Sequence, residues 1–157
     1  MLNKYLLFAF LWMGFNGLAQ ETMLTDEAEV KNKVNAFFTA LEKQDTLSLK
    51  KLWFSEGQVW TINNTTSPMT HSMRFFKGDL KSFDPKRILQ ERALSYDIKV
   101  HKGMAMAWVP YDFHVNGQFS HCGVDIFSLI KIENEWKFIS ASYTMEKTEC
   151  DDLGPKP

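Results

Sequence analysis

Residues 104–132 run MAMAWVPYDFHVNGQFSHCGVDIFSLIKI, and Asn116-Gly117 sits in the middle of them. Asn-Gly is the strongest short hairpin signal, because both residues tolerate the positive φ that a type I′ turn requires. The apolar and β-branched residues on either side predict two long antiparallel strands, Met104–Val115 and Gln118–Ile132, with Val115 opposite Gln118. That hairpin is the centre of the fold.

Further strand pattern flanks it. On the N-terminal side, Ile88–Val100 reaches the turn His101-Lys102-Gly103, which suits a three-residue loop with Gly in the left-handed position. On the C-terminal side, Asn134-Glu135 is expected to turn the chain into a fourth run, Trp136–Lys147. The first half of the chain is mostly helical in pattern. Val30, Val34, Phe37, Phe38 and Leu41 follow the i, i+4, i+7, i+8, i+11 spacing of one buried stripe and predict a helix over 26–44. Asp26 is its expected N-cap, with Glu29 completing a capping box. A shorter helix is expected over 46–54, a strand over 58–62 and a loop over 63–68. A third helix is expected over 72–83, ended by Asp84-Pro85. Helices followed by a hydrophobic meander predict an α+β fold, with helices packed on one face of a curved antiparallel sheet.

Composition narrows the function classes. The chain has 157 residues, 45% of them hydrophobic and 24% charged, with a net charge of −1, so there is no clustered basic face of the kind that binds nucleic acid. Thirteen Phe and five Trp predict an aromatic-rich core or pocket. Residues 1–19 have the layout of a cleavable signal peptide: Lys4, an apolar run from Tyr5 to Phe15, then Gly17-Leu18-Ala19. That apolar run is shorter than the roughly 20 residues a membrane-spanning helix needs, so no stable anchor is expected after cleavage. Residues 20–157 then form one exported domain, periplasmic or secreted, with its core at about 26–150. Export makes Cys122 and Cys150 either a disulfide or two unrelated thiols.

The stretches Ala107-Trp108-Val109-Pro110-Tyr111-Asp112-Phe113, Asn116-Gly117 and Ser120-His121-Cys122-Gly123-Val124-Asp125 resemble the exported branch of the nuclear transport factor 2-like superfamily. Trp136-Lys137-Phe138-Ile139 and the closing 143–150 segment fit the same pattern. The resemblance implies a cone, in which a curved sheet wraps three N-terminal helices around a pocket open at one end. Members of that superfamily include ketosteroid isomerases, polyketide cyclases, dehydratases and plain binding or dimerisation modules, so the fold does not choose between catalysis and binding. The base and oxyanion donors of the isomerases have no residue-by-residue match here.

Turn geometry assigns side chains to faces. If Asn116-Gly117 fixes the register throughout, Asp112 lies opposite His121 and Trp108 opposite Asp125. The two other turns then place Arg92 beside Asp112, Tyr96 beside Trp108, Asp125 beside Thr144 and Phe127 beside Ser142. One face, with Ala105, Ala107, Val109, Tyr111, Val124, Ile126, Ile139, Ala141 and Tyr143, is uniformly apolar. It is expected to be the back of the sheet and a homodimer surface. The other grades from apolar to polar and is expected to line the pocket, with Arg92, Tyr96, Trp108, Phe127, Ser142 and Thr144 as ligand contacts. A one-residue slip in the His101 turn would move Arg92 and Tyr96 to the opposite face.

Two functions fit this pocket. The first is a binding or dimerisation module for an unknown, partly apolar small molecule. The second is a small acid–base enzyme of the isomerase, cyclase or dehydratase type that uses the Asp112/His121/Asp125 group, with His121 or Asp125 as base and Arg92 or Tyr96 as donor. A purely structural ion pair of Asp112 with His121 and Arg92 is the plain alternative. No cofactor and no metal are expected: His121 and Cys122 alternate across a strand, and His71 and His114 lie in no ligand motif.

Overall fold

The computed structural model describes residues 25–84 and 86–153, so the signal peptide expected at 1–19 lies outside the described residues. The first helix, α1, spans Asp26–Glu42 and buries Val30, Val34, Phe37, Phe38 and Ala40. Its N-cap is Thr25 rather than Asp26. Thr25 is extended, and its hydroxyl accepts a hydrogen bond from the Ala28 N–H at 3.2 Å. Glu29 makes no capping box. It is drawn instead to the sheet, where Lys131 Nζ and Trp136 Nε1 donate to its carboxylate at 3.0 and 3.1 Å. The helix stops at Glu42, and Gln44 takes a left-handed φ of 50° to close it. α2 (Thr46–Leu52) is capped by Asp45, whose carboxylate accepts from the Ser48 N–H at 3.0 Å.

The expected strand at 58–62 is longer and starts sooner. β1 covers Trp53–Asn63, so the chain leaves α2 directly into the sheet. The helix expected over 72–83 is instead β2 (Thr70–Phe75) followed by one helical turn, α3 (Phe76–Asp79). Met73, Phe76, Leu80 and Phe83 fit helical spacing. However, Thr70 to Phe76 is weak helix material with Gly78 just beyond it, and β1 offers a free edge for pairing. The run 88–100 divides into β3 (Leu89–Ala93) and β4 (Asp97–His101), both paired with β5 (Met104–Val115). β6 is Gln118–Ile132 and β7 is Glu135–Met145.

These strands make one seven-stranded, curved, unclosed sheet in the order β2-β1-β7-β6-β5-β3, with β4 also on β5. All pairings are antiparallel except β1 with β7. The fold class is therefore the expected α+β cone. Cys122 and Cys150 are joined by a disulfide that ties the C-terminal tail to β6. Among the described residues, no helix is long and apolar enough to cross a membrane.

The register departs from the turn-based reading in three places. Asn116-Gly117 does pair Val115 with Gln118, but the ladder shifts between Phe113 and His114. Ser120 is the extra residue on β6, and beyond it Asp112 faces Cys122, Phe113 faces His121 and Val109 faces Asp125. The last hairpin turns at Glu133-Asn134, both with positive φ, one residue earlier than expected. A second bulge, between Ser128 and Leu129, then sets Asp125 opposite Tyr143 and Phe127 opposite Ala141. The His101 turn has two residues, Lys102-Gly103, and an irregular step between β3 and β4 still leaves Arg92 opposite Asp112.

The faces follow from this register. The concave face carries Ala105, Ala107, Val109 and Tyr111 of β5, the odd-numbered residues 121–129 of β6, and Ala141 and Tyr143 of β7. The uniformly apolar row of β5 is thus the inner wall, buried against α1, and not an outer dimer surface. Val124 and Ile126 stay on the outer face. The core is aromatic: the Phe37 ring lies 5.5 to 6.2 Å from those of Trp53, Phe76, Phe127 and Phe138.

Candidate functional site

Between α1 and the concave face, the structure leaves a cavity of about 390 Å³. Phe37, Trp53, Phe76 and Phe127 form its apolar floor, and Arg74, Asp79 and Arg87 also line it. This volume lies in the range of small-molecule sites. Two other hollows, of about 620 and 420 Å³, lie on the outer face against Lys147, Thr148 and Glu149; the first has no aromatic lining and the second has Phe119 and His114.

The polar wall of the cavity is built by adjacent strands. Glu91 of β3 faces Phe113 of β5, which faces His121 of β6. Asp125, two pleats along β6, lies between Val109 and Tyr143. Glu91 and Asp125 come within hydrogen-bonding reach of each other. Asp125 is 3% exposed, and no N–H or hydroxyl donor among the described residues reaches its Oδ2. Burial is the main cause that raises both carboxyls above their usual range, Glu91 to about 8; the neighbouring Glu91 raises Asp125 further. Two carboxyls at this distance cannot both ionise cheaply, so the pair retains a proton at neutral pH.

His121 borders the same space, with its ring stacked on Phe113 at 4.9 Å and edge-on to Tyr111 at 5.8 Å. Burial lowers its pKa, and its Nδ1 lies 3.0 Å from the Ser120 hydroxyl. It is therefore a neutral imidazole at pH 7. The Tyr111 phenol is pushed upward by burial and then by Asp125 and Glu91, and it donates to the Thr144 carbonyl at 2.7 Å. That bond passes over Gly123, where a Cβ would lie 2.1 Å from the Thr144 oxygen. Across the cavity, Arg74 Nε binds both oxygens of Asp79 at 2.7 and 2.9 Å, and Nη1 donates to Thr61 at 2.8 Å. Its charge is thereby matched.

Three of the residues singled out from sequence meet here: His121, Asp125 and Phe127. The others do not: the Ser120 bulge reverses the parity between β5 and β6, and the earlier turn with the irregularity at Ser128-Leu129 reverses it between β6 and β7. Asp112 faces outward, bound through both oxygens by Arg92 with Nε at 2.7 Å, and its imidazole neighbour is His114 at 3.7 Å rather than His121. Trp108 is 44% exposed on the outer face. Ser142 lies opposite Ile126 on that same outer face, and Thr144 accepts from the Val124 N–H at 3.1 Å. Tyr96 leaves the sheet and donates to Asn35 of α1.

Glu91, Arg74, Tyr111 and Tyr143 belong to the site and escaped the sequence reading. Glu91 was within reach, since an Arg92 that pairs outward with Asp112 forces its neighbour inward. Among the described residues, no group of three or more His, Cys, Asp or Glu is arranged to hold a metal ion.

No family model matches the sequence, and no curated protein matches it. Solved structures do match. A nuclear transport factor 2-like protein from Cytophaga hutchinsonii superposes with a TM-score of 0.63 at 15% identity, over 78% of this chain and 100% of that one. A nuclear transport factor 2-like superfamily protein from Salmonella enterica gives 0.58 at 20% identity, over 80% and 95%. A protein of the same family from Streptomyces avermitilis, provisionally assigned as a dehydratase, gives 0.59 at 17%, over 77% and 96%. The chain has the nuclear transport factor 2-like fold.

Proposed function

We propose that this chain is an exported binding protein that takes a small, partly apolar molecule into the cavity between α1 and the concave sheet. The observation that carries this reading is the cavity itself: an aromatic floor with one polar wall formed by Glu91, Asp125 and His121. Aromatic floors supply burial energy, and a few convergent polar groups orient the guest. The signal-like leader and the Cys122–Cys150 disulfide support work in an oxidising compartment.

A thermal-shift screen with small aromatic compounds tests it. Binders raise the melting temperature of the wild type, lose part of that effect in His121→Ala and Asp125→Ala, and lose it in Ala141→Phe, which fills the cavity. A screen in which nothing shifts the wild type, or in which Ala141→Phe responds equally, refutes the reading.

One observation favours a second reading as an acid–base enzyme. A protonated carboxyl pair and a neutral imidazole face the same cavity, which is the pairing proton transfer requires. Its likeness to the Streptomyces protein fits a dehydratase-type reaction. Solvent deuterium entering the α-position of a small cyclic ketone, faster than in Asp125→Asn, would support catalysis; equal rates would dismiss it.

We also propose self-association on the outer face, where Met73, Trp60, Ser142, Ile126 and Trp108 form one cross-strand row and Trp60 and Trp108 are 40% and 44% exposed. Sedimentation of Trp108→Glu tests it. A wild type that sediments as a monomer ends the idea.

A further inference from the structure

The acid pair in the cavity has no cation of its own. Asp125 is 3% exposed, lines the cavity and has an Oδ2 that no N–H or hydroxyl donor among the described residues reaches. The groups facing it are Glu91 from β3, Tyr111 from β5, His121 from β6 and Tyr143 from β7. None brings a positive charge at neutral pH, because burial keeps His121 unprotonated. Of the two arginines that line the cavity, Arg74 is turned to Asp79 and Thr61, and Arg87 is solvent-exposed and makes no ion pair with either carboxyl. Buried carboxyls without such partners are costly, and proteins keep them where something else supplies the missing charge.

The surroundings fit one kind of guest. Tyr111, Phe113, Phe127 and Tyr143 present aromatic surfaces around the two carboxyls. Rings grouped about a carboxyl attract an ammonium through their negative faces, while the carboxyl accepts its hydrogen bonds. The aromatic floor beyond, at Phe37, Trp53 and Phe76, suits a flat apolar body attached to that ammonium.

Resting on the reading of this cavity as a binding site, we propose that its ligand class is protonated amines with an aromatic or similarly flat apolar body, the ammonium donating to Asp125 and Glu91. Binding then exchanges charge for charge. The ammonium enters and one proton of the carboxyl pair leaves to the buffer, so the net charge within the cavity is the same before and after.

Isothermal titration at pH 7 with 2-phenylethylammonium, 2-phenylethanol and 3-phenylpropanoate tests this. The amine should bind at least about tenfold more tightly than the alcohol, and the carboxylate least well. Its heat should differ between phosphate and Tris buffers by the amount that releasing about one proton requires. That measurement needs only the wild type. In Asp125→Asn, checked for folding by near-ultraviolet circular dichroism, the amine should fall to the alcohol's affinity and its heat should become independent of buffer.

An alcohol that binds as tightly as the amine, a carboxylate that outbinds it, or a buffer-independent heat in the wild type overturns the amine assignment and leaves the cavity reading standing. If none of the three binds at millimolar concentration, the cavity reading fails and the assignment falls with it.

Discussion

Raising the pH should destabilise this protein through one pair of residues. Glu91 is shifted from its ordinary 4.5 to about 8 by burial, and Asp125 is shifted upward for the same reason. The folded state therefore holds protons that the unfolded state has released. The stability this contributes is complete below the unfolded values and is lost as pH rises through the folded ones. At about 1.4 kcal/mol per unit, the part of the Glu91 shift realised between pH 5 and pH 8 is about 3 kcal/mol. His121 works in the opposite direction, because its lowered pKa favours the folded state only above its ordinary value of 6.5. Comparing the wild type with Glu91→Gln/Asp125→Asn cancels that contribution, since both retain His121. Urea unfolding at half-unit pH steps should show the wild type losing about 3 kcal/mol relative to the double variant from pH 5 to pH 8. A difference constant to within about 0.5 kcal/mol over that range would refute the assignment of a protonated pair made by half-buried Glu91 and buried Asp125.

Gly123→Ala should cost about 3 kcal/mol in urea unfolding, because its Cβ meets a backbone oxygen at 2.1 Å and displaces the Tyr111 hydrogen bond. Gly78→Ala, with nothing within 4 Å, should be neutral or slightly stabilising. The double replacement Cys122→Ala/Cys150→Ala opens a bridge between residues 28 apart in sequence and should lower stability by about 3–4 kcal/mol, read by the same unfolding assay. Phe37→Ala removes the ring that touches Phe38, Trp53, Phe76, Phe127 and Phe138, and should cost about 3–5 kcal/mol by thermal or urea unfolding.

Much of the fold was legible because it is locally encoded. The apolar stripe of α1 is intrinsic to its spacing, and Asn116-Gly117 carries its own turn geometry, so Met104–Val115 and Gln118–Ile132 fall where expected. Residues 70–79 were not legible in this way. Met73 and Phe76 satisfy a helical period and would fall on opposite faces of a strand, and the choice was made by the vacant edge of β1, a partner distant from that segment's own pattern. Thr25 displaced Asp26 as the cap for a similar reason: Glu29 was needed by Lys131 and Trp136, more than 100 residues away.

The site was harder to reach than the fold, and the cause is the same as the cause of the cavity. A turn sets the register only until the first bulge, and both bulges in the central hairpins fall beside the cavity, at Ser120 of β6 and at Ile139 of β7, level with Ser128-Leu129. Bulges bend and twist the strand that carries them, and a sheet must bend to enclose space. Between the two, β6 keeps one phase, and that segment holds His121, Gly123, Asp125 and Phe127 on the concave side. A strict alternation carried from Asn116-Gly117 therefore places β6 correctly and β5 wrongly, which is how Asp112, rather than Glu91, came to be grouped with His121 and Asp125. Removing the irregularity should keep the register and remove only the bend. Deletion of Ser120 would leave Phe119 opposite His114 and His121 opposite Phe113 with no extra residue between them, keep Asp125 opposite Val109 on the concave face, and retain both the pH-dependent loss of stability and any ligand-induced thermal shift. A Ser120 deletion that folds and loses both properties would show that the bend made by the bulge, and not the register alone, forms the polar wall.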